Sequence, residues 1–436
     1  LARKRGLIKG VVVYKQRKNR VQLCIAENMC GLEGYLPITQ RMLEYESKSL
    51  SGSEQNCFAG LEVMDIRERW ESDREAMQWS IDEQLPKFTK VGAFKDGGIY
   101  ERWQSQDYGI MRKFYFFNFN SHDPNERGLY QQVMDHLDAP AMLNGGWHGE
   151  VPDVTVSSKA GHYNIVTAGA TNLSFWAHVE LSKPENIVMK QKSKGLKLDR
   201  SKYYVMFQAS DGDAMRFLTS FGVALHGVFE SPWLDERRGE VPVAWGTQPM
   251  CAKLWPAILE YYKLTATEND SFFSGPSGGG YCYPTSMPNF EDFAKLSGEV
   301  TEMTGIELQE TWGSFDPQSL VTFKKYCSTL KCFTTKCQGF DTGCNIWFKD
   351  GTAVEQSAFI LWHAKLEKRE DIVKNIEKVA SEKEPPYFIT VYDVPCRTLE
   401  NALVSQEKLD DRFVIVGVED FSSLMQQTIA DYEVNP

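Results

Sequence analysis

The sequence predicts an α/β protein: a mixed α/β first half followed by an irregular (β/α) barrel-like second half. Three observations carry this. Short runs of branched and aromatic residues alternate along the chain with helix-period stretches, which favours layers around a largely parallel sheet. From Lys202 onward the alternation becomes regular enough for about six or seven βα units. The segment Ser182 to Arg200 carries five lysines and few large apolar residues, as a surface connection does. It divides the chain into residues 1–195 and 196–436.

In the first half the expected strands are Leu7 to Tyr14, Val21 to Ile25, Leu61 to Ile66, Phe114 to Phe119, Ala141 to Leu143 and Tyr163 to Thr167. Ser72 and Glu75 have capping-box spacing, and Met77, Ile81 and Leu85 then recur at helical spacing until Pro86. Leu129, Val133 and Leu137 make one face of a second helix, Glu126 to Leu137. In the second half the expected strands are Tyr203 to Phe207, Val241 to Trp245, Ile306 to Glu310, Ala358 to Trp362, Tyr387 to Tyr392 and Phe413 to Val416. Asn289 is placed to cap a helix with Phe293, Leu296, Val300 and Met303 inward, Asp316-Pro317 to open another, and Ile372, Ile376 and Val379 to stripe a third.

With 436 residues, 42% apolar and 12% aromatic, the chain can bury one large core or two moderate ones. A net charge of -11 argues against nucleic acid, which needs clustered cations. No run approaches membrane-spanning length. The ten cysteines are even in number, four fall between Cys327 and Cys344, and none forms a CxxC pair, so disulfides in an extracellular or cell-surface setting are expected ahead of zinc or redox chemistry. Asn172 and Asn269 head glycosylation triplets.

The candidate site lies where strand, acidic turn and helix meet in KYYVMFQASDGDAMRF. Asp211 and Asp213 sit two apart after a strand, at the end of an α/β sheet where chemistry collects, though one Asp in such a place also serves simply to cap the helix. Further on, Gly275 and Gly278 to Gly280 give a freely bending loop that Tyr281, Tyr283 and Pro284 stiffen into a binding wall. No GK[ST] follows, which excludes a nucleotide loop. GGWHGE offers Trp147 to stack on a sugar, His148 to move a proton and Glu150 to accept hydroxyls, against the plainer reading of a packed loop. Trp245, Tyr281 and Tyr283 would supply flat amphipathic surfaces, although large aromatics near strand ends are more often core.

The string Gly278-Gly279-Gly280-Tyr281-Cys282-Tyr283-Pro284, together with RGLIKGVVVY, GGWHGE, SKAGHYNIV, TNLSFW, SDGD, VAWGTQP and NDSFFSGP in that order, resembles the GxGYxYP family of glycoside hydrolases. The resemblance implies a carbohydrate-facing cleft between the two halves, with Asp211 and Asp213 as acidic centre, Glu150 and Asp270 as candidate partner carboxyls, and Trp147, His148, Trp245, Asn269, Gly280, Tyr281 and Tyr283 on the substrate. Two carboxyls on opposite sides of the scissile bond are what glycoside hydrolysis needs. Two departures stand out: Ala214 follows SDGD where the family carries Asn, and VYDVPCRT stands where a His and a Trp are expected. They motivate an alternative, a non-catalytic extracellular glycan-binding protein or a structural subunit of a surface or filament assembly with other extracellular proteins as partners. No cofactor or metal is expected, although a calcium ion would find oxygen ligands at Asp211 and Asp213. The absence of an HxxxH pair disfavours a metal-dependent deacetylase.

Overall fold

The computed structural model describes residues 6–16, 20–49, 58, 60–96, 105–181, 183–209, 211–222, 231–312, 317–336, 345–347, 353–356, 359–360, 370–393 and 395–429. The chain forms two compact units, Leu1–Ser174 and Phe175–Pro436.

The first unit holds two parallel sheets. One has strands β1 (Gly10–Tyr14), β2 (Tyr35–Thr39) and β3 (Glu62–Asp65) in the order β2-β1-β3, with α1 (Val21–Glu33) and α2 (Gln40–Ser49) between them. Val11, Val12 and Val13 of the central strand are buried on both faces, as a parallel strand flanked on each side requires. The expectation of a strand at Val21 to Ile25 is corrected: those residues open α1. Ile25, Met29 and Leu32 recur at helical spacing, and Gly34 at φ 79° closes the helix by donating to the Cys30 carbonyl. Branched residues lost to a longer period.

The second sheet follows α3 (Asp73–Glu83), whose first turn the Ser72 side chain caps as its spacing predicts, by accepting from Glu75 at 3.2 Å. It contains β4 (Gly92–Lys95), β5 (Tyr115–Phe117), β6 (Met142–Gly145) and β7 (Tyr163–Val166), all parallel in the order β5-β4-β6-β7. Its helices are α4 (Gln106–Met111), α5 (Pro124–His136) and α6 (Glu150–Lys159), followed by α7 (Leu173–Trp176) at the unit boundary. α5 turns Leu129, Tyr130, Val133 and Met134 into a core shared with α1 and α3. Neither β2 nor β4 is anticipated by the pattern, since YLPIT contains a proline and GAFK has only one large apolar residue.

The second unit is a nearly closed, mostly parallel barrel-like sheet. Its strands are β8 (Tyr203–Ala209), β9 (Val243–Thr247), β10 (Asp270–Ser274), β11 (Leu308–Trp312), β12 (Cys332–Lys336), β13 (Asn345–Trp347), β14 (Ala353–Gln356), β15 (Phe359–Ile360), β16 (Tyr387–Asp393) and β17 (Phe413–Ile415). The order is β13-β14-β12-β11-β10-β9-β8-β16-β15, and only β13 runs antiparallel. β17 pairs with the first half of β8 and β9 with its last two residues, so β8 anchors three neighbours. Around it lie α8 (Met215–Gly222), α9 (Cys251–Leu254), α10 (Pro256–Thr265), α11 (Phe290–Thr304), α12 (Pro317–Tyr326), α13 (Glu370–Glu382) and α14 (Pro395–Lys408), while α15 (Val418–Ile429) packs on the inward strand residues.

Tyr204, Met206, Phe273, Leu308, Cys332 and Phe388 pack with Phe421, Leu424 and Met425 of α15 into one buried cluster. Asn289 starts α11 by its left-handed φ of 55°, without the expected side-chain cap, and Met303 is 39% exposed, so the inward stripe ends at Val300. The Asp316 cap lies outside the described residues. Among those described, Cys24, Cys30, Cys251, Cys282, Cys327, Cys332 and Cys396 are free thiols, and the expected disulfides join none of them.

Two glycines separate tolerance from necessity. Gly145 has φ 113°, and a Cβ there would lie 2.0 Å from the Lys95 carbonyl oxygen; on α5, Gly128 has open space around it. Gly145→Ala should therefore cost about 3 kcal/mol or more through strain and overlap. Gly128→Ala should stabilise by roughly 0.5–1 kcal/mol. Urea unfolding of both variants checks this, and equal midpoints would contradict it.

Candidate functional site

In a parallel barrel all strands deliver their carboxyl ends to one rim, and the acidic turn sits there, directly after β8. What holds the turn is backbone contact. A Cβ on Gly212 would lie 2.1 Å from the carbonyl carbon of Gly246 in β9, and a Cβ on Gly275, just after β10, would lie 2.6 Å from the amide nitrogen of Asp213. Only glycine allows this approach. The turn and the first residue of the glycine-tyrosine loop are thus neighbours. Asp211 takes φ 63°, a left-handed conformation Asp tolerates better than most, and its carbonyl accepts from Ala214 at 3.1 Å. Asp211 and Asp213 are 9% and 6% exposed.

Two more carboxyls share this rim. Asp393 ends β16 in register with Ala209, is buried, and takes a hydrogen bond of 2.5 Å from Asn401 with Arg397 at 4.0 Å. Burial raises the Cys396 thiol, Arg397 opposes it, and the negative charges of Asp393 and Asp211 add to the rise. Glu310 comes from β11, on another wall. Alternation assigns its direction: Tyr204 and Met206, Leu308, Cys332 and Phe388 face the barrel interior, and the same phase continues to Gln208, Glu310, Thr334 and Thr390. Gln208 confirms the phase by donating to Thr334, four strands round the sheet, at 3.1 Å. An apolar layer is thus topped by a buried polar one.

Sequence reading missed Gln208, Glu310, Thr334 and Asp393. Their signal is a polar residue in step with the inward apolar ones, as in YYVMFQ and LQE.

Several expected site residues lie elsewhere. Asp270 begins β10, so it is at the opposite end of the strand from Ser274, about 13 Å away at ~3.3 Å per residue. It is ion-paired with Arg238, accepts from the Trp245 indole at 2.8 Å and from Thr267 N at 2.7 Å. These bonds make it a structural carboxylate. Trp245 is 1% exposed and packs edge-on to Trp233, so it is core and not a sugar platform. Asn269 binds the Gly239 carbonyl at 2.6 Å and Lys194 at 2.5 Å, beside Asp270. Tyr281 is also 1% exposed, with its hydroxyl 3.4 Å from that of the half-buried Tyr283. The glycines before it are not a loose hinge: Gly279 donates to Ser297 of α11 at 3.0 Å, and a Cβ on Gly278 would meet Gln309 at 2.9 Å. Gly280 is buried with them. They serve close packing.

Trp147, His148 and Glu150 belong to the first unit, at the β6–α6 connection, with Glu150 the first residue of α6. His148 donates from Nε2 to the Asn118 side-chain oxygen at 2.5 Å, and its amide donates to Asp153 at 2.9 Å. Asp153 is also paired with buried Lys95. Burial, then the charges of Lys95 and His122, hold the His148 imidazole down at about 4. Nearby Asp96 is pushed up to about 6 by burial, against the opposing pull of Arg20 at 2.9 Å.

The second unit is therefore an irregular parallel barrel with a carboxylate-bearing rim. Residues 201–426, just over half of the chain, match the GxGYxYP putative glycoside hydrolase C-terminal domain, and residues 94–178 match the GxGYxYP third domain. The chain belongs to the GxGYxYP family. A crystal structure of a putative hydrolase from Bacteroides thetaiotaomicron VPI-5482 shares the fold at TM-score 0.78 and 18% identity, over 98% of this chain and 81% of that one. A putative polysaccharide deacetylase from Mycobacterium smegmatis aligns at TM-score 0.36 and 10% identity, over 57% of this chain and 97% of that one. No curated protein matches in sequence.

His148 and Asp96 shape stability against pH in opposite senses. The fold keeps the imidazole unprotonated down to about 4 against an ordinary 6.5, so its contribution is lost as pH falls through that window. It keeps Asp96 protonated up to about 6 against an ordinary 3.8, so that contribution is lost as pH rises. Relative to wild type, His148→Gln should become less stable from pH 4.5 to 6 and Asp96→Asn more stable. Denaturant unfolding at each pH reads the two slopes, and slopes of one sign would refute the assignment.

Proposed function

We propose that this carbohydrate-related protein is a glycoside hydrolase whose chemistry lies within the barrel, at the rim shared by Asp211, Asp213 and Glu310. The observation that carries the reading is the placement of carboxyls on different walls of one lumen: the β8 turn supplies Asp211 and Asp213, and β11 supplies Glu310. Side chains from opposed walls do meet there, as Gln208 and Thr334 do at 3.1 Å. A sugar seated at the mouth, above the Gln208–Thr334 contact, would have carboxyls from two walls facing its glycosidic bond, one protonating the leaving oxygen and the other attacking carbon or activating water. Asp393, held by Asn401 and Arg397, is a positioning residue that sets the charge beneath the acidic turn. Tyr283, half-buried beside that loop, is the aromatic left to touch a ligand.

One observation favours a second reading, glycan binding without cleavage. Ala214 is buried where the resemblance implies an Asn, which removes an amide that could orient a carboxylate.

In a preparation that cleaves a glycan panel, Asp211→Asn, Asp213→Asn and Glu310→Gln should each lower kcat by roughly 10²-fold or more. Asp270→Asn should instead lower the unfolding midpoint and leave kcat of the folded fraction near wild type. Product analysis decides: undiminished turnover in all three rim variants would sink the hydrolase assignment. Calorimetric binding of oligosaccharides with no product would support the second reading.

A further inference from the structure

The first unit has polar machinery of its own that the barrel chemistry does not use. Its second sheet is ordered β5-β4-β6-β7, so the chain leaves β4 toward β5 on one side and later returns to β6 on the other. In open parallel sheets the crevice at the carboxyl ends, where strand order reverses, is the place for a ligand. Here that edge holds Asp96 after β4, Asn118 after β5, and Gly146, Trp147 and His148 after β6.

The groups there are bonded to one another with two conspicuous exceptions. Asp96 is 1% exposed; one carboxylate oxygen meets Arg20 at 2.9 Å and Asn118 at 3.5 Å, while Oδ1 has no partner. Asn144 is 1% exposed; its oxygen accepts from Ser105 at 3.1 Å and Thr167 at 2.5 Å, while its Nδ2 has no partner. β4–β6 register pairs Phe94 with Asn144, and alternation puts Asp96, two residues beyond Phe94, on that same face of the sheet. Leaving a buried acceptor and a buried donor unmade is costly, and a ligand able to satisfy both recovers that cost. His148 adds a third group: its Nε2 is used on Asn118, which leaves Nδ1 as an acceptor.

Charge selects the ligand class. Arg20 faces Asp96 and Lys95 faces Asp153, two cations against two carboxylates. Glu27, whose carboxyl burial and Asp96 hold well above its ordinary range, favours its neutral form, as does His148. These two ion pairs balance one another, and among the described residues no group of His, Cys, Asp and Glu is arranged for a metal ion. The donors and acceptors at this edge, with half-buried Trp147 next to His148 in the chain, suit vicinal hydroxyls on one apolar sugar face.

We propose that the carboxyl edge of the β5-β4-β6-β7 sheet is a separate binding site for a neutral polyhydroxylated ligand of monosaccharide size, with Asp96 Oδ1 and His148 Nδ1 accepting from its hydroxyls and Asn144 Nδ2 donating to one. The site stands independently of hydrolysis in the barrel.

The test is calorimetry and saturation-transfer NMR on the full chain with methyl glucoside, galactose, N-acetylglucosamine and myo-inositol, and with glucuronate and glucosamine as charged counterparts. At least one neutral probe should bind, and Asp96→Asn should weaken it tenfold or more. Because that substitution leaves Arg20 facing an amide, His148→Gln, which retains a donor for Asn118, provides a second variant and should weaken the same probe tenfold or more. Asp211→Asn/Asp213→Asn should leave this binding unchanged, and Asp96→Asn should leave any glycan cleavage unchanged. The proposal is overturned if no neutral probe binds, if glucuronate or glucosamine binds more tightly than every neutral probe, if the folded Asp96 and His148 variants bind as wild type, or if the Asp211/Asp213 variant loses the binding.

Discussion

Three glycines at the rim, Gly212 after β8, Gly246 in β9 and Gly275 after β10, bring backbone against backbone, and the geometry of the rim depends on that contact. Side chains cannot substitute for it, because a single Cβ on any of the three would fall 3.0 Å or less from main-chain atoms of a neighbour. The contact lets Asp211 take its left-handed turn, puts Asp213 against the start of the glycine-tyrosine loop, and so fixes both carboxyls relative to the strands carrying Asp393 and Glu310. Rigid backbone is a better support for a reacting group than a loop that must be ordered on binding.

Polar groups have been sorted by depth in both units. In the barrel the inward positions change from Met206, Leu308, Cys332 and Phe388 to Gln208, Glu310, Thr334 and Thr390 within one same-face step. In the first unit Phe94 and Phe116 stack beneath the row occupied by Asp96 and Asn118. Each arrangement leaves a dry floor that resists collapse and a polar layer at the carboxyl ends of parallel strands. Burying those groups is costly unless they are satisfied, which explains why Arg20, Lys95 and Arg397 accompany the carboxylates.

The fold class was legible because β8, β16 and the stripes of α5 and α13 carry strong periodicity, and the acidic turn was legible because two Asp residues follow an apolar strand directly. The remaining parts failed for local reasons. DSFFS reads as loop when a glycine run follows it, so β10 was hidden, and with it the fact that Asp270 opens the strand while the loop leaves from its other end. Trp245 looked like a platform because it ends an apparent strand, yet its indole is committed to Asp270. The glycines of the defining motif suggested freedom of movement, whereas their absent side chains make room for Ser297 and Gln309. Glu310 and Gln208 were invisible because one polar residue in a short apolar run carries no period of its own until the neighbouring strands show which face it shares.

A double-mutant cycle on Gly212→Ala and Gly275→Ala, read by denaturant unfolding, interrogates the backbone clamp most directly. If both methyl groups intrude on the same contact, relaxation forced by the first already opens room for the second, and the paired cost falls short of the sum by about 1 kcal/mol or more. Costs that add to within ~0.5 kcal/mol would mean the acidic turn and the glycine-tyrosine loop are held independently, and the rim described here would lose its foundation.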